Sequence, residues 1–218
     1  MKQILVYGDS LAWGIVPGTR RRRPFAERWP GALEGHLRSA GIDVRVIEDC
    51  LNGRRTVWED PFKPGRNGRA GLAQRIEVNS PLALVLLALG TNDFQSMHGH
   101  DAWMSSQGVS ALVREIRTAP IEPGMPVPEI LIVAPPPITE PRGAVAPKFA
   151  GGGAKCAGLG SAFARVAADE RCGFFDAATV VRASVEDGVH LDATAHAELA
   201  RALSGVVASL LANEGVSS

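Results

Sequence analysis

The stretch Ile4-Leu5-Val6-Tyr7-Gly8-Asp9-Ser10-Leu11 decides the fold. A run of β-branched and apolar residues closed by Gly-Asp-Ser reads as a buried strand that stops at a tight turn. Trp13, Gly14, Pro17 and Gly18 follow, which leaves room for a short helical turn at most. A serine at the C-terminal tip of the first strand of an α/β sheet sits where such sheets bind their ligands. A serine in that place more commonly caps the next turn. Ser10 therefore gains a chemical role only through partners elsewhere in the chain.

Strands and helices alternate outward from this stretch. Trp29, Leu33 and Leu37, four residues apart within Phe25–Ala40, predict an amphipathic helix ended by Gly41. Val44–Glu48 reads as a second strand, followed by a turn built on Asn52-Gly53. Asp60–Gly71, rich in Pro, Gly and Arg, reads as an irregular loop with a short helix near its end. Leu82–Leu89 is apolar without alternation, as expected of a central strand covered on both faces, and runs into Gly90-Thr91-Asn92-Asp93. Val109, Leu112, Val113 and Ile116 form a helical stripe between Asp101 and Thr118.

Glu129–Ala134 is the expected fourth strand, halted by Pro135-Pro136-Pro137. Ile138–Gly153 has no clear period and reads as a long loop or lid. Lys155–Arg171 is expected to be helical, Gly173–Asp176 to be a short fifth strand, and Ala193 onward to be a helix capped by Asp192. This alternation implies a parallel sheet with helices on both faces, in one domain over 1–218.

Bulk properties narrow the function classes. Hydrophobic residues make up 45% of the 218 and charged residues 21%, and the 23 basic and 23 acidic side chains cancel. No global field attracts nucleic acid or an anionic membrane, and the run Arg20–Arg23 reads as a solvated loop, with a basic docking patch as the lesser alternative. Cys50, Cys156 and Cys172 are odd in number and lack metal-ligand spacing, so reduced thiols in a cytoplasmic protein are expected. Neither a signal peptide nor an apolar run long enough to span a bilayer is visible.

Three stretches line up with Ser10: Gly53 after the second strand, Asn92 after the third, and Asp187 with His190 before the last helix. Loops after successive parallel strands emerge at one edge, so these groups can converge. A serine hydroxyl needs a base in hydrogen-bond reach and a third group that orients the base. Asp187-Gly188-Val189-His190 supplies both, with Gly188 letting the chain fold back. Acyl transfer also needs donors aimed at the developing oxyanion; Asn92 offers an amide, and Gly53 and Ser10 offer backbone N–H groups. Each residue alone has a plainer reading as a turn former or an exposed loop residue. Their joint occurrence at strand ends does not.

Gly8-Asp9-Ser10-Leu11, the Gly53 block, Gly90-Thr91-Asn92-Asp93 and Asp187-Gly188-Val189-His190-Leu191 together resemble the four blocks of the GDSL, or SGNH, hydrolase superfamily. Gly8–Gly14 and Asn52-Gly53-Arg54-Arg55-Thr56 resemble its small bacterial arylesterase and acyltransferase branch, which includes carbohydrate acetylesterases. The resemblance implies a three-layer α/β/α, flavodoxin-like fold on a parallel five-stranded sheet. It implies a triad of Ser10, Asp187 and His190 and an oxyanion hole from Ser10, Gly53 and Asn92. It further implies short-chain ester or acetylated-carbohydrate substrates, no metal or other cofactor, and a homo-oligomer.

Trp13, Phe94 and Phe149 are candidates to line an acyl or aryl pocket. His98, His100 and Asp101 are expected to form a polar loop rather than a metal site, and His196 to lie on the surface of the last helix. Two other readings stay open at this point: an acyltransferase on the same triad, and a non-catalytic carbohydrate-binding module.

Overall fold

The first apolar run forms strand β1 (Lys2–Gly8), with Ile4 to Val6 fully buried. The computed structural model describes residues 1–213; the last five positions of the expected 1–218 domain lie outside the described residues. Four more strands follow: β2 (Val44–Cys50), β3 (Leu84–Ala88), β4 (Glu129–Ala134) and β5 (Gly173–Asp176). They form one parallel sheet in the order β2-β1-β3-β4-β5. That is the flavodoxin-like order, and its direction of winding reverses between β1 and β3. Gly8 pairs with Cys50 on one side and Ala88 on the other, so the C-terminal tip of β1 lies in that crevice.

Side chains of a strand alternate between its two faces, and both faces here are apolar. Leu5, Tyr7, Val85, Leu87, Ile130 and Ile132 pack on helices α3 (Leu72–Asn79), α4 (Ala102–Arg117) and α7 (Leu159–Asp169). Ile4, Val6, Leu84, Leu86, Leu131 and Val133 face α1 (Ser10–Trp13), α2 (Trp29–Ser39) and α8 (Ala193–Asn213). Two short helices, α5 (Ala146–Phe149) and α6 (Gly152–Lys155), precede α7. Each fully buried aliphatic side chain contributes about 1.5–3 kcal/mol, so this double-sided burial is what holds the three layers together.

Four expectations change. The helix expected over 25–40 is a 3₁₀ turn at Phe25–Glu27 followed by α2. Pro30 has no N–H to continue an earlier helix but fits the first turn of a new one. The helix expected over 155–171 is divided into α6 and α7, because Gly158 adopts a left-handed φ of 79°. Ile138–Gly153 is not structureless: it holds a 3₁₀ turn at Gly143–Val145, α5 and the start of α6. It is tied down by Thr139 N–H to the Gly188 carbonyl (3.0 Å) and Ser96 N–H to the Lys148 carbonyl (2.7 Å).

His196 is the fourth case: it is buried, not on the surface. It points from α8 toward α2, and its Nδ1 accepts the Trp29 N–H at 3.2 Å. Burial, reinforced by the Arg23 charge, pushes its pKa down to about 3, so the ring is held neutral. Asp192 caps α8 as expected, accepting the Ala195 N–H at 2.9 Å. No helix among the described residues is long and apolar enough to cross a membrane.

Candidate active site

Ser10 is the first residue of α1, directly beyond the end of β1. Asp9 makes this abrupt change possible by capping the helix, its Oδ1 accepting the Leu11 N–H at 2.9 Å. The Ser10 hydroxyl donates to His190 Nε2 at 3.2 Å. His190 Nδ1 in turn donates to Asp187 Oδ2 at 2.7 Å. Hydroxyl, imidazole and carboxylate thus form one series, although 180 residues separate the first two.

Local chain geometry explains the carboxylate. Gly188 has φ 74°, and a Cβ there would stand 2.1 Å from the Glu140 carbonyl oxygen, so only glycine fits. The tight turn aims the N–H groups of Val189 (3.0 Å) and His190 (2.9 Å) at Asp187 Oδ1. Gly18 N–H reaches Oδ2 at 3.2 Å from the loop after α1. Burial pushes the Asp187 carboxyl up, but the His190 ring and these backbone donors outweigh it and hold it well below the usual carboxylate range. A carboxylate that stays ionised fixes the tautomer in which Nε2 is free to accept a proton.

Beside the hydroxyl stand the three expected donors. Gly53 adopts φ 85° in the turn after β2, and Gly90 (φ 131°) opens the 3₁₀ turn Thr91–Phe94 that carries Asn92. Among the described residues, the Ser10 and Gly53 N–H groups donate to no protein acceptor. The Asn92 amide is oriented from both ends: its Nδ2 donates to Asp9 Oδ2 (2.9 Å), and its Oδ1 accepts from Gln95 Nε2 (2.7 Å). Gln95 Oε1 accepts from Arg55, whose guanidinium also pairs with Asp60 at 3.0 Å. One Nδ2 hydrogen of Asn92 remains for a ligand.

Asp93 fastens the Gly53 turn to the Asn92 turn. It accepts the Thr56 N–H (2.9 Å), the Thr56 hydroxyl (2.8 Å) and the Ser105 hydroxyl (2.6 Å). Burial pushes the Asp93 carboxyl up to about 6 against these donors, and the Asp9 carboxyl up to about 6 against the Leu11 N–H and the Asn92 amide. Arg54 anchors the same turn to β1, donating to the Gly8 carbonyl at 3.1 Å and lying 3.9 Å over the Tyr7 ring. Sequence reasoning did not single out Asp9, Arg54, Arg55, Thr56, Asp93 or Gln95 for these tasks. The signal was their adjacency to Ser10, Gly53 and Asn92.

Ser10, Gly53, Asn92 and His190 border one cavity of about 420 Å³. Of the three aromatic residues expected there, only Phe149 lines it. Phe94 is fully buried in the core beneath α4 and α7, and Trp13 lies outside the cavity under the Arg22 guanidinium, 4.7 Å from its ring centre. The cavity lining also carries Lys63, Arg142 and Lys148, to which the sequence reading gave no role, and Arg20, expected there only as part of a solvated loop.

His98 and His100 stack 4.7 Å apart, and His98 Nε2 accepts from Arg55 Nε at 2.8 Å. Asp101 caps α4 through the Met104 N–H at 2.8 Å. Among the described residues, no group of three or more His, Cys, Asp or Glu side chains could hold a metal ion.

Comparison with solved structures gives the same architecture. The native M. smegmatis aryl esterase superposes with a TM-score of 0.90 at 34% identity, over 96% of this chain and 100% of that one. A carbohydrate acetylesterase family member from Sinorhizobium meliloti gives 0.91 at 37% identity, over 97% and 100%. Est24, a carbohydrate acetylesterase from the same organism, gives 0.90 at 31%, over 96% and 100%. No curated protein sequence matches the chain. The pattern of the GDSL-like Lipase/Acylhydrolase family matches residues 6–198, a span that begins inside β1 and runs past His190 into α8. By that match over most of its length, the chain belongs to the GDSL-like lipase/acylhydrolase family.

Proposed function

We propose that the protein is a serine esterase acting on short-chain, acetyl-type carboxylic esters, with Ser10 as nucleophile, His190 as base and Asp187 as the group that orients it. The observation that carries this reading is the unbroken Ser10–His190–Asp187 hydrogen-bond series beside unused donors on Ser10, Gly53 and Asn92.

Ser10 Oγ attacks the ester carbonyl carbon while its proton passes to His190 Nε2. The carbonyl oxygen takes up negative charge and is met by the Ser10 and Gly53 N–H groups and the Asn92 amide. When the tetrahedral centre collapses, the C–O bond to the alcohol breaks and His190 returns the proton to the leaving oxygen. A water molecule, deprotonated by His190, then attacks the acyl carbon, and the carboxylic acid leaves as Ser10 Oγ recovers its proton. Asp187 stays ionised throughout and stabilises the transient imidazolium.

The names of the similar structures, an aryl esterase and carbohydrate acetylesterases, support aryl esters and acetylated carbohydrates as substrates and water as acyl acceptor. Balanced charge supports a small-molecule partner rather than a nucleic acid. Three free thiols support a reducing compartment such as the cytoplasm. The exposed side chains of Phe62 and Trp103 support a homo-oligomer that would cover them.

Release of 4-nitrophenol from 4-nitrophenyl acetate tests the chemistry. Ser10→Ala is expected to lower kcat by a factor on the order of 10³ or more. A variant that keeps most of the activity removes Ser10 from the reaction.

A further inference from the structure

The mouth of the Ser10 cavity has a charge the rest of the molecule does not share. The 23 basic and 23 acidic side chains of the sequence cancel, yet the cavity lining carries Arg20, Lys63, Arg142 and Lys148 against Glu186 and Asp187. Asp187 is committed to His190 (2.7 Å), and Arg142 is paired with Glu140 (2.6 Å). None of the ion pairs among the described residues involves Arg20, Lys63 or Lys148. Three cations without an ion pair among the described residues therefore line the cavity, and Glu186 is the one exposed carboxylate in that lining.

Lys148 is the most telling of the three. It is half-buried, on α5, and its backbone is fixed by the hydrogen bond from Ser96. Burial pushes its pKa down; Asp60 resists this, while Arg55, Lys63 and Arg20 add to it. Like charges gathered around the half-buried Lys148 repel one another. Their gathering becomes favourable when an anion enters, and low-dielectric walls focus such a field.

We infer that the esters this cavity takes carry an anionic group, such as a carboxylate, in addition to the bond that is cleaved. This rests on the esterase reading and narrows its substrate class. The anion can belong to the acyl part, as in a hemi-ester of a dicarboxylic acid. It can equally belong to the alcohol part, as in an acetylated uronic acid. Lys148, Lys63 and Arg20 are then specificity-determining residues that hold the anion while Ser10 reacts elsewhere on the same molecule.

Matched pairs of esters separate the two sources. On the acyl side, 4-nitrophenyl hydrogen succinate is compared with neutral 4-nitrophenyl 4-oxopentanoate, each rate corrected for enzyme-free hydrolysis. On the alcohol side, 4-acetoxybenzoate is compared with its methyl ester. In at least one pair, kcat/KM is expected to favour the anion by about tenfold at low ionic strength. That preference should shrink in about 0.5 M salt, where exposed charges are screened. It should fall towards one in the double variant Lys63→Gln/Lys148→Gln. Equal rates, or a preference for the neutral ester, in both pairs overturn the inference and leave the esterase reading standing. No turnover of any of the four esters defeats the esterase reading and this inference with it.

Discussion

Replacing Asn92 by alanine removes one side chain that does two jobs. One Nδ2 hydrogen is committed to Asp9 Oδ2 at 2.9 Å, and the other is free beside Ser10 and Gly53 in the cavity lining. Loss of the free donor weakens the transition state and not the bound ester. Loss of one such donor typically costs a factor of about 10²–10³ in kcat, or ~2.7–4 kcal/mol. Loss of the committed one leaves the Asp9 carboxylate, already pushed up to about 6 by burial, without its side-chain donor, and leaves Gln95 Nε2 without its acceptor. A buried hydrogen bond to a charged group contributes about 1.5–3 kcal/mol and a neutral one about 0.5–1.5, so a destabilisation of roughly 2–4 kcal/mol is expected.

The assay is steady-state hydrolysis of 4-nitrophenyl acetate beside a urea titration of the same variant. The account predicts a folded protein, kcat lowered at least 100-fold on that scale, and KM within a fewfold of the parent. A stable variant with near-parent kcat would refute the assignment of Asn92. A rise in KM with kcat unchanged would mean that Asn92 binds the ester rather than stabilising its transition state.

Three further outcomes follow from the same geometry. Asp187→Asn keeps the shape of the loop but lets His190 adopt the wrong tautomer, so kcat should fall by a factor on the order of 10³–10⁴ with little change in KM; stopped-assay kinetics at neutral pH read this directly. Gly188→Ala forces a Cβ to within 2.1 Å of the Glu140 carbonyl at φ 74°, so the 187–190 turn must move. That variant should lose more than about 2 kcal/mol of stability and most of its activity, and a parent-like melting curve would contradict the reading of this turn. His196 has a folded pKa of about 3, below its usual value near 6.5, so its contribution is present above that usual value and is lost as pH falls towards the folded value. His196→Asn keeps an acceptor for Trp29, and its stability should fall less steeply than the parent's between about pH 6 and 4, by ~1.4 kcal/mol per pH unit; identical slopes would show that the ring is not held neutral.

Much of this architecture could be read from the chain because the sheet is buried on both sides. Leu84 to Leu87 has no polar residue to mark an outer face, and the structure places alternate members of that run in two different cores. The segments at the site's edge were harder to read. Phe94 and Trp13 are aromatic and adjacent to motif residues, but neither position reveals that the 3₁₀ turn aims Phe94 inward or that Arg22 folds over Trp13. Burial of His196 depends on where α8 crosses α2, which no local pattern encodes. The cations of the cavity mouth come from four separate places, at 20, 63, 142 and 148, and only the fold brings them to one opening. Ser10, Gly53, Asn92, Asp187 and His190 were legible for a different reason: each follows a strand or precedes the last helix, and parallel topology delivers such positions to one edge.

The central claim is that Ser10 is an activated nucleophile, and covalent capture measures this without reference to any particular ester. A 4-nitrophenyl alkylphosphonate is incubated with the protein, and intact mass and peptide mapping locate any adduct. The account predicts one phosphonyl group per chain, on Ser10, formed far more slowly in His190→Ala and not at all in Ser10→Ala. An unlabelled parent protein, or an adduct on another residue with Ser10 untouched, would contradict it.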